Sequence, residues 1–207
     1  MLNQMFKSKE KLIEFHNKTK ADIQDRIKYF KSLSKKEYFN EFLFCLLTPQ
    51  SNAKRCWEAV EEILKLKNFE ENKITEILKN RTRFYKTKSA RLIKAKNNWN
   101  VIKEQLSNKN YFELRNWLAE NVNGYGLKES SHFLRNIGKS NNQIAILDRH
   151  ILRNLKSLKV IEEEKIKNKK NYFEIERKFL NFAEKIKIPV DELDLLFWSA
   201  ETGEIFK

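Results

Sequence analysis

Apolar residues recur at helical spacing along most of this chain. Phe39, Phe42, Leu43, Leu46 and Leu47 follow the spacing of one helix face, and Ser34-Lys35-Lys36-Glu37 ahead of them fits a capping box. Phe44 and Cys45 are apolar too, so the segment predicts a buried central helix ending at Thr48-Pro49. Ser51 can cap the next helix, which carries Trp57, Val60, Ile63 and Leu64. Helices are also predicted over 71–80, 88–98 and 110–121, the last with Tyr111, Leu114, Leu118 and Val122 on one face. Another covers 127–137. Asp148 can cap the one after it, whose stripe is Ile151, Leu152, Leu155 and Leu158, and two more lie near 171–186 and 191–200. Period-two alternation is absent over any useful length. The pattern predicts an all-α fold.

Composition sharpens this picture. Four Gly and two Pro among 207 residues favour long helices with short connections. The two cysteines, Cys45 and Cys56, have neither metal-ligand spacing nor the count of a disulfide framework, so no metal and no cofactor are expected. No apolar run reaches transmembrane length and no signal peptide opens the chain, so a cytoplasmic protein with no membrane partner is expected.

Charge adds a partner class. With 42 Lys+Arg against 28 Asp+Glu the formal net charge is +14, which suits a polyanion such as nucleic acid; the alternative is a compositional bias in which lysine simply solvates helix faces. From Arg81 to Lys96 the basic residues are Arg81, Arg83, Lys86, Lys88, Arg91, Lys94 and Lys96, with no acid among them. The tail holds Asp191, Glu192, Asp194, Glu201 and Glu204. This asymmetry predicts one surface facing a polyanion and another that does not.

The chemistry concentrates at Val122-Asn123-Gly124-Tyr125-Gly126-Leu127-Lys128-Glu129. A helix ends, two glycines one residue apart turn the chain, and a new helix begins. Backbone N–H groups at such a turn, with the positive end of the helix dipole, can hold a phosphate. An ordinary loop with glycine caps explains a Gly-x-Gly taken alone. Lys128 changes the balance. A cation is disfavoured in a first helical turn, whereas a nucleophilic amine gains there, because the helix end favours its neutral form. Twenty residues on, Ile144-Ala145-Ile146-Leu147 runs into Asp148, which is a helix N-cap, a functional carboxylate, or both.

At these residues the sequence resembles the helix-hairpin-helix DNA glycosylases, whose signature is a hairpin, a lysine and a downstream aspartate. Residues 126–138, with Ile146-Leu147-Asp148-Arg149-His150-Ile151-Leu152, are similar to the type 2 8-oxoguanine DNA glycosylase/AP lyases of archaea and some bacteria. Leu46–Ala53 resembles the glutamine-containing loop of the superfamily, and Arg83–Ala90 its aromatic-basic segment. Two departures stand out. Only Gly138 remains of a frequent Gly-Pro pair, and the four-cysteine iron–sulfur loop of endonuclease III relatives is absent.

The resemblance implies two helical lobes: a barrel over 40–137 ending in the hairpin, and a second lobe from 1–39 plus 138–207. The active site would lie in the cleft between them, with Lys128 and Asp148 facing each other. It implies a bifunctional enzyme acting on a flipped 8-oxoguanine in double-stranded DNA, as a monomer. Lys128 would attack C1′ and form a Schiff base, β-elimination would nick the strand, and Asp148 would assist. Phe84 and Trp198 are candidate stacking walls for the base, with core packing the alternative for each. Asp194 and Lys207 are candidate base contacts. Gln50 would occupy the gap left by the flipped base, and Arg83, Lys86, Lys88, Arg91, Asn123, Gly124 and Gly126 would meet the backbone. His132 and His150 read as structural. Competing readings are a glycosylase for oxidised pyrimidines, a non-catalytic helix-hairpin-helix module that only binds DNA, and a basic helical scaffold.

Overall fold

A computed structural model of the chain describes residues 6–108 and 110–207 and shows, among them, eleven α-helices and no strand. The all-α expectation holds. The helices fall into two units, Leu33–Ile137 and the chain up to Ser32 joined by Gly138–Lys207.

The first unit is built around α2 (Tyr38–Leu47), whose Phe39 and Phe42–Leu47 are all buried. A helix apolar on every face must be covered on every face. Packed against it are α3 (Ala53–Ile63), α5 (Tyr85–Asn97) and α8 (Leu127–Asn136), with α4 (Glu71–Lys79) on α5 and α7 (Tyr111–Asn121) on α8. Its one internal acid, Glu41, accepts from Asn136 Nδ2 at 2.8 Å. The start of α2 departs from expectation. Ser34 N donates to Glu37 Oε2 at 2.8 Å, but Glu37 N bonds Ser34 O, so Ser34–Glu37 closes a separate turn and the helix begins at Tyr38. Asn52, not Ser51, caps α3, accepting from Arg55 N at 3.1 Å. A short α6 (Trp99–Gln105) follows α5; the pattern predicts no helix there, and only Ile102 within it is buried.

The second unit packs α1 (Lys9–Ser32), α9 (Arg149–Ser157) and α10 (Lys169–Ile186) against α11 (Val190–Thr202). The acids of α11 lie mostly inside this unit. Asp191, Glu192, Asp194 and Glu201 are buried. Ser140 Oγ donates to Asp191, and His16 Nε2 lies 2.7 Å from Glu192, which also accepts from Gln24. Glu201 meets His150, Arg153 and Asn154. Internal partners explain the burial, since unpaired charge is costly away from water. His150 thus has an internal partner in Glu201.

Candidate active site

The hairpin lies between α7 and α8. Gly124 adopts φ +97°, and a Cβ there would fall 2.8 Å from Arg91 Cδ. The positive φ demands glycine, and the short approach shows that the Arg91 side chain lies against the turn. The buried Tyr125 fixes the turn to α2: its ring stacks on Phe42 at 4.8 Å and its hydroxyl donates to Phe42 O at 2.8 Å. Burial, ahead of nearby Cys45, Glu129 and Glu41, pushes the phenol well above its usual range, so it remains a donor. A cavity of about 250 Å³ beside the hairpin has Arg91, Lys94, Trp117, Asn121 and Asn123 among its walls.

Gly126 caps α8. Its N–H, expected on a phosphate, donates to Glu129 Oε2 at 3.1 Å, while Glu129 Oε1 lies 3.2 Å from Lys128 Nζ. One carboxylate therefore closes the turn and holds the amine. Lys128 occupies the first turn of α8 with 24% of its side chain exposed. His132, one turn further on, is buried edge-on against Phe44 at 5.6 Å.

Gln50 and Phe84 are left-handed, at φ 54° and 56°. Phe84 is 55% exposed, which removes the core alternative for it, and the Arg83 guanidinium stands 5.2 Å from its ring centroid. Arg83 itself is exposed, as a phosphate contact requires. Lys88 corrects an expectation. It is only 2% exposed, and Nζ donates to Leu47 O at 2.6 Å, Ser51 Oγ at 2.8 Å and Pro49 O at 2.9 Å. It holds a loop and does not reach out to a phosphate. Burial pushes this ammonium down to about 8; Cys56 opposes the shift, and Arg91, Lys128 and Arg83 add to it. Burial raises the Cys56 thiol to about 12, against the pull of Lys88 and Lys128, so it stays protonated.

In the other unit, Asp148 Oδ1 accepts from His150 N at 2.8 Å and Ile151 N at 2.9 Å, capping α9. The buried run Ile144–Leu147 leads into it with no helix or strand of its own. Its polar backbone is met by side chains of α10: Glu176 Oε1 accepts from Ala145 N at 2.7 Å, and Tyr172 Oη donates to Ala145 O at 2.7 Å. Those two bonds fix the approach to the carboxylate. Trp198 is half-buried with its ring 6.2 Å from that of Phe206. Asp194 is buried, and Lys207, also buried, places Nζ 5.9 Å from the Tyr29 ring. The groups expected to act therefore divide: Lys128, Gln50, Arg83, Phe84 and the hairpin in the first unit, Asp148, Asp194, Trp198 and Lys207 in the second. Among the described residues no group of His, Cys, Asp and Glu could hold a metal ion.

Residues 21–188 match the family model described as 8-oxoguanine DNA glycosylase. The chain belongs to this family. A relative named 8-oxoguanine DNA glycosylase/AP lyase from Fusobacterium nucleatum subsp. nucleatum is 39% identical over 99% of both chains. The crystal structure of Methanocaldococcus jannaschii 8-oxoguanine glycosylase/lyase in complex with a 15mer DNA containing 8-oxoguanine superposes with a TM-score of 0.86. It is 34% identical, covering 96% of this chain and 98% of that one. The Thermotoga maritima 8-oxoguanine DNA glycosylase superposes at 0.83 with 28% identity, covering 96% and 97%.

Sequence reasoning passes over two residues of this family member's site, Glu129 and Tyr125, and gives a third, Lys88, the wrong task. Glu129 was legible, since Gly126-x-x-Glu129 has capping-box spacing. Tyr125 reads as loop until its ring is seen on Phe42, and Lys88 is indistinguishable from its exposed basic neighbours.

Proposed function

We propose that this chain excises 8-oxoguanine from double-stranded DNA and then nicks the strand. Lys128 Nζ forms a bond to C1′ as the bond from C1′ to the base breaks, and the amine loses its proton. Opening of the sugar gives a Schiff base; loss of a proton from C2′ then forms the C2′–C3′ double bond as the bond between C3′ and its oxygen breaks and the phosphate leaves. Asp148 supplies the carboxylate that takes the proton and balances positive charge on the sugar. This chemistry requires neither metal nor cofactor. The enzyme works as a monomer in the cytoplasm, with Phe84 and Trp198 against the base, Asp194 and Lys207 as further base contacts, Gln50 in the gap, and Arg83 with the Asn123–Gly126 turn on the backbone.

One observation carries the reading: the chain aligns over nearly its whole length with proteins named 8-oxoguanine DNA glycosylase/AP lyase, and a partly exposed lysine follows its hairpin. The test is release of free base from duplexes carrying one lesion each. Release of 8-oxoguanine, with a nicked strand, is the expected result. Release of oxidised pyrimidines alone would overturn the substrate, and tight binding without release would leave a non-catalytic module.

A further inference from the structure

Two loops of the first unit hold a non-glycine residue in the left-handed region, Gln50 at φ 54° and Phe84 at φ 56°. Such backbone is costly and persists only where its surroundings over-determine it. Here the surroundings are identifiable. Ser51 Oγ accepts from Arg83 N at 3.0 Å and from Lys88 Nζ at 2.8 Å, and donates to Pro49 O at 3.3 Å. One hydroxyl thus joins the residue after Gln50 to the residue before Phe84. Lys88 completes the tie from beneath. Leu47 is the last residue of α2, so its carbonyl lies at the negative end of that helix, where a cation is favoured; Pro49 O is the next acceptor along.

We infer that Lys88 and Ser51 form an internal clamp that presets the Gln50 and Phe84 loops together for handling a flipped base. The inference rests on the reading of this chain as a base-flipping glycosylase. Neither residue touches substrate; both are positioning residues. The clamp acts where a base must be extruded and held, and is silent where no base remains.

The test uses Ser51→Ala, which leaves every charge in place, Ser51→Thr, which keeps a hydroxyl, and Lys88→Met. Hydrogen–deuterium exchange is followed in the full chain at 47–52 and 82–86. Ser51→Ala and Lys88→Met are expected to speed exchange about tenfold in both segments together, and Ser51→Thr to restore it. Faster exchange in one segment only, or in neither, overturns the clamp whatever the enzyme does. On DNA, single-turnover excision of 8-oxoguanine by Ser51→Ala is expected to fall about tenfold, while nicking at a preformed abasic site stays within about twofold. Equal losses on both substrates, or none on either, contradict a positioning role. Should the native chain excise nothing, the functional reading fails by itself, and the exchange result still decides the clamp.

Discussion

At the residue scale, each key side chain is set by a few neighbours. Tyr125 is the simplest case. Its hydroxyl adds a second bond to Phe42 O, a helix carbonyl inside the core, so Tyr125→Phe removes one buried hydrogen bond and is expected to lower stability by about 1 kcal/mol in urea unfolding. Lys88 gives a pH dependence. Its folded value is about 8 against an ordinary 10.5, so above pH 8 the unfolded chain holds more protons and stability rises with pH. Cys56 acts in the opposite sense above 9, because its thiol is raised to about 12. The informative window is therefore pH 8 to 9, over which the native chain should gain about 1 kcal/mol relative to Lys88→Met. A difference that stays flat across that window would show that Lys88 keeps an ordinary affinity for its proton.

At the element scale, the hairpin and the start of α8 form one device. Gly124 accommodates both a left-handed backbone and the Arg91 side chain. Gly124→Ala is expected to cost about 1–3 kcal/mol and to weaken duplex binding about tenfold, read by thermal unfolding and fluorescence anisotropy. Unchanged binding would mean that Arg91 and the turn take no part in it. Most helices were legible because their apolar stripes are long and periodic, and Asp148 was legible as a cap because it ends an apolar run. What sequence could not supply was the fate of isolated polar residues. Ser51 reads as a cap from its place before α3, yet Asn52 takes that role while Ser51 joins two loops. Asp191, Glu192 and Glu201 read as surface charge, because their partners His16, Ser140 and His150 stand far off in the chain.

At the scale of the whole chain, the formal charge of +14 understates the basic character of the exterior, since several acids of α11 are internal. DNA affinity should fall steeply with salt, and Arg91→Ala should reduce the slope of log affinity against log salt by about 1. No helix among the described residues is long and apolar enough to cross a membrane. The most direct test of the central claim is borohydride trapping on a duplex with a single 8-oxoguanine, native chain beside Lys128→Gln. A covalent protein–DNA band with the native chain, absent with the variant, is the predicted result. A band that survives the variant would assign the Schiff base to another amine, and no band on this duplex would contradict lysine chemistry at 8-oxoguanine.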